Sequence, residues 1–201
     1  MIVSNLDELR EIYGKPSGRA KDKVLKSLEK HSIHFIENAP FLTLSTMNQT
    51  GEMDCSPRGG NPGFVKVLNE TCIVIPDAKG NNRVDSLSNI VETGNIGLLF
   101  IIPGLDETLR VNGHAYISTN EEHINLFSSE EKTIKACIVI TIEEVFLHCA
   151  KAFMRSKLWK LEAQIKRSYF PSMGQMLKDQ IGSTEEPEDT EAMIKRYQKD
   201  L

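Results

Sequence analysis

The spacing of hydrophobic residues along the chain changes at Pro40. Before it, residues 22–39 place Leu25, Leu28 and Ile36 at helical intervals among lysines and glutamates, which predicts an amphipathic helix that the proline ends. After it, apolar and polar residues alternate in short runs separated by turn residues, which predicts β-strands. The pattern therefore indicates a helical segment followed by a β-rich domain.

The alternating runs predict six to seven strands. Those runs are residues 41–47, 52–56, 64–68, 71–75, 96–102, 108–118 and 136–148, the first four of which form two hairpins. Further helical spacing occurs in residues 83–92, 120–129 and 151–169. The predicted fold class is mainly β, a β-barrel with flanking helices.

Length and charge limit the function classes. A chain of 201 residues supports one substantial core, and we predict a helical segment at 1–39, the barrel domain at 40–160 and a helical tail at 161–201. The 24 Lys and Arg against 28 Asp and Glu give no general attraction to nucleic acid or anionic membrane. Without a signal peptide or an apolar run of ~20 residues, the chain is predicted to be soluble and cytoplasmic.

The cysteines and histidines give no metal motif. The four cysteines include no C-x-x-C pair, and the five histidines are scattered, so we predict no metal site.

Three stretches combine turn residues with an arginine near the end of a predicted strand: residues 56–60, 76–83 and 108–113. In the middle stretch, Asn82, Arg83 and Ser86 surround a predicted helix start, where free backbone N–H groups favour an anion. Arginine adds a forked, charge-assisted contact. These stretches predict a phosphate site, whereas Arg110 of the third stretch is interpreted as a surface residue paired with Asp106 or Glu107.

The order of these motifs over residues 39–159 resembles the pyridoxamine 5'-phosphate oxidase-like family, whose fold is an FMN-binding split β-barrel with a Greek-key-like arrangement. The motifs are Pro40-Phe41-Leu42-Thr43-Leu44, Ser56-Pro57-Arg58-Gly59, Val74-Ile75-Pro76-Asp77, Gly80-Asn81-Asn82-Arg83, Leu98-Leu99-Phe100 and Leu109-Arg110-Val111-Asn112-Gly113. The later run Arg155-Ser156-Lys157-Leu158-Trp159 is similar to an uncharacterised bacterial subgroup of that family.

The resemblance implies a homodimer with FMN at the interface. Matching of motif positions implies that Arg58 and Arg83 bind the FMN phosphate together with Asn82 and Ser86. Other positions implied to contact the flavin are Ile75, Pro76 and Asp77 through the main chain, Thr108 through its side chain, and Arg155 and Trp159 from the second subunit.

The expected function is that of an oxidoreductase whose flavin accepts a hydride from a small-molecule substrate. No catalytic acid–base pair is visible, because the cofactor itself performs such chemistry. True pyridoxamine 5'-phosphate oxidases bind pyridoxal phosphate through a C-terminal segment that contains Arg and His. This sequence has no such segment, which argues against vitamin B6 chemistry. Two alternatives stay open: a non-catalytic flavin or haem carrier or sensor, with His114 or His148 as axial ligand, and a dimer with a vestigial site.

Overall fold

The computed structural model of the protein describes residues 2–128 and 134–199. The chain divides into two compact units, Met1–Met154 and Arg155–Leu201. The strands, all in the first unit, are β1 (Phe41–Met47), β2 (Met53–Gly59), β3 (Lys66–Asn69), β4 (Cys72–Pro76), β5 (Asn95–Ile101), β6 (Thr108–Ser118) and β7 (Cys137–His148). The helices are α1 (Leu6–Tyr13), α2 (Arg19–Asp22), α3 (Lys30–Asn38), α4 (Asp85–Thr93), α5 (Glu121–Ile124), α6 (Lys151–Ser156), α7 (Met173–Ile181) and α8 (Thr190–Tyr197).

The strands form one antiparallel sheet in the order β2-β1-β5-β6-β7-β4-β3. Burial alternates along β1 and β5, so one face of these two strands is packed and the other is more accessible. Strand β4 and the first half of β7 are mostly buried on both faces. The mainly β architecture with flanking helices, typical of a split barrel, is therefore confirmed. Strands β1 and β6 have the predicted boundaries, and the other strands differ from theirs by a few residues.

Among the described residues, the larger of two buried apolar clusters takes side chains from β1, β4, β5, β6 and β7. Leu42 and Leu44 of β1, Phe100 of β5, Leu109 of β6 and Ile140 of β7 are fully buried within it. Helix α3 adds its own apolar side chains to this core, and α4 packs against β1 and β2. Helix α4 thereby brings its first turn next to an edge strand of the sheet.

The helix predicted over residues 22–39 is wrong in its first half. Helix α2 ends at Asp22 and α3 begins only at Lys30. Between them Leu25 forms an isolated bridge with Val145, its N–H and C=O bonding that residue at 3.0 and 2.8 Å. Lys23 Nζ also donates to the carbonyl of Leu147 at 2.7 Å. The backbone of this segment therefore completes the ladder of β7, and tertiary pairing overrides the local helical spacing.

The helix predicted over residues 151–169 is also wrong beyond its first turns. Helix α6 ends at Ser156, because Lys157 adopts a left-handed backbone with φ 52°. Two short 3₁₀ turns follow, at Leu161–Ala163 and Arg167–Tyr169. The predicted helix over residues 120–129 consists of α5 and a 3₁₀ turn, and Ser129 lies outside the described residues.

The second unit contains α7 and α8, each with a side-chain cap at its start: Ser172 Oγ accepts from the backbone N–H of Gln175, and Asp189 Oδ1 from that of Ala192. Within the ranges described, every helix is too short or too polar to cross a bilayer.

Candidate functional site

Three polar side chains share one face of β2. Asp54, Ser56 and Arg58 are half-buried, whereas the residues between them are exposed. Alternate residues of a strand point to the same side, so these three form a row. Strand β2 lies at an edge of the sheet, which is where a strand tolerates a proline such as Pro57.

Helix α4 supplies the opposite wall. The chain enters it through a turn in which Asn81 Oδ1 accepts from the backbone N–H of Arg83 at 3.1 Å and Asn82 has φ 62°. No side-chain hydrogen bond caps the helix at Val84. Ser86, only 4% exposed, therefore lies in a first turn whose backbone N–H groups are not capped by a side chain.

The two walls meet in a tight hydrogen-bonded cluster. Arg58 Nη1 donates to Ser56 Oγ at 2.9 Å, and its Nη2 donates to Ser86 Oγ at 3.3 Å. The two serine hydroxyls are 2.9 Å apart, and Ser86 Oγ donates to Asp54 Oδ2 at 2.5 Å. A forked guanidinium and two hydroxyls beside a helix start are groups that bind phosphate oxygens. We call Asp54, Ser56, Arg58 and Ser86 the β2–α4 cluster.

Asp77 lies just beyond the end of β4 and in the electrostatic range of this cluster. Burial raises the pKa of its carboxyl, and the positive charges of Arg58 and Lys135 offset part of that rise. Its backbone N–H donates to the carbonyl of Ala136 at 2.9 Å. The side chains of Ile75 and Pro76 are buried, so this strand end can offer a ligand main-chain atoms and the Asp77 carboxyl.

The raised pKa of Asp77 gives a stability prediction. Burial disfavours the ionised carboxyl only in the folded state, so the penalty is absent at low pH and appears as the pH rises through the raised pKa. We expect Asp77→Asn to raise the melting temperature at pH 7 and to lose this advantage below pH 3.8, the ordinary carboxyl value. Thermal denaturation at several pH values measures the difference, with Asp7→Asn on exposed α1 as control. A less stable variant at pH 7 would mean that attraction to Arg58 and Lys135 outweighs burial.

Arg83 and Asn82 are not part of the β2–α4 cluster. Both are exposed, and the Arg83 guanidinium bonds Asp85, the first residue of α4, with Nε at 3.0 Å and Nη2 at 2.9 Å from Oδ2. The Arg83 side chain is 75% exposed in this pairing. The sequence grouped Arg83 with Ser86, whereas the structure groups Ser86 with Arg58.

Thr108 lies apart from the cluster as well. Its side chain is buried, and its backbone pairs with His148. The register aligns Arg58 with Leu109 through β1 and β5, so Thr108 projects to the opposite face of the sheet. Arg110, two residues along, contacts the Phe146 ring at 5.3 Å and pairs with Glu144 at 3.8 Å, so its interpretation as a partner of Asp106 or Glu107 is wrong.

The two strand-borne histidines lie in different surroundings. The ring of His148 is 4.8 Å from that of Phe146, and burial together with the charges of Lys23 and Arg110 lowers its pKa. His114 Nε2 lies 3.7 Å from a Glu143 carboxylate oxygen. In the part of the chain that the structure describes, no group of three or more His, Cys, Asp or Glu is placed to hold a metal ion.

Arg155 and Trp159 belong to the second unit, where Arg155 is exposed and Trp159 half-buried. Their contact with a flavin in a second subunit stays a prediction. Asp54 and Ser56 were not among the predicted site residues. The spacing of Asp54, Ser56 and Arg58 at every second position was the signal for them, since it places all three on one face of a strand.

Comparison with known families agrees with this architecture. The sequence model described as pyridoxamine 5'-phosphate oxidase matches residues 28–149, more than half of the chain and the whole sheet. The chain belongs to this family. A search of curated protein sequences gives no match.

Three solved structures are similar to this chain at low identity. HupZ from Group A Streptococcus is 17% identical, with a TM-score of 0.50 over 60% of this chain and 93% of that chain. An FMN-binding protein from Syntrophomonas wolfei is 15% identical, with a TM-score of 0.44 over 58% of this chain and 88% of that one. General Stress Protein 26 from Bacillus anthracis is 14% identical, with a TM-score of 0.44 over 57% and 88%.

Proposed function

We propose that the chain binds FMN and that the β2–α4 cluster holds the phosphate. The observation that carries the proposal is the convergence of Arg58, Ser56 and buried Ser86 at an uncapped helix start, in a chain of this family. Arg58 supplies two donors in a fixed fork, and the helix start adds backbone N–H groups with a favourable dipole. These groups fit a phosphate in charge and in number of donors.

Arg83 and Asn82 complete the phosphate site in this proposal. The pair of Arg83 with Asp85 is exposed, and exposed ion pairs contribute only about 0–1 kcal/mol, so Arg83 can turn to a phosphate at little cost. Asn82 lies three residues before Asp85, the first residue of α4, and in this proposal its side chain bonds the same anion.

The flavin ring of the proposed complex extends from the phosphate toward the end of β4. Main-chain groups of Ile75, Pro76 and Asp77 border it, and Thr108, Arg155 and Trp159 contact it across a homodimer interface. When bound, FMN supplies hydride acceptance at N5, which makes the protein an oxidoreductase for a small-molecule substrate. The chain's own residues bind and orient the cofactor and adjust its electrostatics.

Exposed apolar side chains support the homodimer. Phe41 and Met47 of β1 and Met53 of β2 lie on the more accessible face of these strands, and Met53 is 68% exposed. Half-buried Ile101 of β5 pairs with Phe41 on the same face. Apolar residues that adjoin in this way are typical of a protein interface. In the proposed homodimer the FMN lies at the contact between subunits, in the cytoplasm that we propose as the location.

Direct binding measurements test the proposed function. We expect the purified protein to bind FMN with quenching of flavin fluorescence, and to bind riboflavin, which lacks the phosphate, at least about 100-fold more weakly, since charge-assisted phosphate contacts provide much of the affinity. Absorbance from 300 to 700 nm and mass spectrometry identify any co-purified chromophore. Light scattering on the same sample measures the number of chains.

Each result decides between the functions that remain. Bleaching of bound flavin by a reduced nicotinamide would support the oxidoreductase, and flavin that no donor reduces would favour a carrier or sensor. A Soret band lost in His114→Ala or His148→Ala would replace the proposal with a haem carrier. A colourless protein that binds neither FMN nor riboflavin would leave a dimer with a vestigial site.

A further inference from the structure

Asp54 places a carboxylate inside the β2–α4 cluster. Its Oδ2 accepts the hydroxyl proton of Ser86 at 2.5 Å, and Ser86 is almost completely buried. Asp54 stands on the same face of β2 as Ser56 and Arg58, so one strand presents an acid, a hydroxyl and a guanidinium side by side. A negative group thus occupies the place where donors of both walls converge.

Each serine hydroxyl of the cluster already donates its one proton to a neighbour within the cluster. A serine hydroxyl has one proton to donate, and that of Ser86 is given to Asp54, so the 2.9 Å bond between the hydroxyls is donated by Ser56. Ser56 in turn accepts from Arg58 Nη1 at 2.9 Å. The bonds run in one direction, from Arg58 through Ser56 and Ser86 to the Asp54 carboxylate.

A phosphate oxygen at this position needs the same donor. To bond a phosphate, Ser86 must turn its proton away from Asp54, and the carboxylate then stands beside a second negative group without its short hydrogen bond. Both effects weaken phosphate binding, because a buried or half-buried acceptor that loses its donor is costly and like charges at close range repel.

We propose that Asp54 competes with the phosphate of FMN for the Ser86 hydroxyl and thereby sets how tightly the chain holds phosphorylated flavin. The inference rests on the FMN function proposed above and adds a residue that the family motifs did not indicate. Asp54 is a residue that determines affinity and not a catalytic residue, since it acts on the cofactor through Ser86 and through its charge.

Replacement of Asp54 by asparagine tests this inference. Asp54→Asn keeps the size of the side chain and an acceptor oxygen for Ser86 but removes the charge. We expect FMN to bind about 10-fold more tightly than to wild type, because Ser86 then bonds a neutral acceptor, which holds its proton less strongly than a carboxylate, and the repulsion of the phosphate by Asp54 is removed. Riboflavin affinity should stay within about twofold, because the effect needs the phosphate. Fluorescence titration with both flavins measures the two ratios.

Matched variants make the result specific. Asp7→Asn removes one negative charge from exposed α1 and should leave both affinities unchanged. If circular dichroism shows that Asp54→Asn does not fold, the same titrations are made with Asp54→Ser, which is smaller and also uncharged. In Ser86→Ala, where the shared hydroxyl is absent, adding Asp54→Asn should tighten FMN binding less than it does in the wild-type background.

The inference and the proposed function fail differently. If wild type binds FMN and Asp54→Asn binds it equally or more weakly, Asp54 only anchors α4 to β2, and the inference is overturned while the function stands. Equal tightening for riboflavin would also overturn it, since the effect would not involve the phosphate. If neither protein binds FMN, both proposals are wrong.

Discussion

Replacing Gly113 by alanine should lower the free energy of unfolding by about 3 kcal/mol or more, an effect at the upper end for a single added methyl group. The β6–β7 register shifts between Asn112 and Gly113, and the two backbones lie close together at Gly113. A Cβ at position 113 would lie 2.0 Å from the Thr141 carbonyl oxygen and 3.2 Å from the Ile142 Cα. Backbone atoms of β7, held between β6 and β4, cannot give way as the end of a flexible side chain can.

Urea denaturation of Gly113→Ala and wild type measures this loss, with Gly80→Ala as the matched control. Gly80 has no heavy atom within 4 Å of the position of a Cβ and no left-handed φ, so its replacement should change stability by less than about 0.5 kcal/mol. Equal stability of the two variants would mean that β6 and β7 separate without cost at the shifted position. That result would contradict the close packing described for this ladder.

The second large effect is expected for Arg58→Ala, which should weaken FMN binding about 100-fold while riboflavin binding changes much less. The guanidinium donates to both Ser56 and Ser86, so its loss removes a charge and the fork that directs both hydroxyls. A single hydrogen bond to a charged group contributes about 1.5–3 kcal/mol, equivalent to roughly 10- to 100-fold in affinity. Isothermal titration calorimetry with each flavin provides the comparison.

Three further variants separate charge from geometry. Arg58→Lys keeps the charge but lacks the fork, so it should bind FMN with intermediate affinity. Arg83→Ala should have a smaller effect than Arg58→Ala, because Arg83 begins from an exposed pair with Asp85 outside the cluster. Arg19→Ala on exposed α2 removes the same charge elsewhere and should have no effect. Unchanged FMN affinity in Arg58→Ala would rule out the β2–α4 cluster as the phosphate anchor.

The strands were the part of the fold that the sequence predicted well. Strands β1 and β6 have the expected boundaries because apolar and polar residues alternate regularly along both of them. The helix predictions were wrong where the backbone forms other hydrogen bonds or leaves the helical conformation. Leu25 pairs with Val145 in place of a helical bond, and Lys157 takes a left-handed conformation that no spacing of apolar residues reveals.

The sequence predicted only part of the candidate site, because contacts between distant elements decide which residues meet. Arg58 and Ser86 were chosen from separate motifs, and the structure joins them because α4 packs on β2. Asp54 was missed although it stands two residues before Ser56, since a carboxylate does not fit a search for anion-binding groups. Arg83 was expected beside Ser86, but the sequence could not tell that Asp85 would hold its guanidinium. Local motifs name the residues, and the packing of elements decides which of them meet.

The bridge between Leu25 and Val145 has a consequence for shortening the protein. The family match begins at residue 28 and α3 at Lys30, so either position is a natural place to trim the chain. Removal of the residues before either position would leave the backbone N–H and C=O of Val145 unpaired at the edge of β7, a long and mainly apolar strand. Exposed strand edges with unpaired backbone groups pair with strands of other molecules. We therefore expect a fragment that begins after Leu25 to aggregate more readily than the full chain.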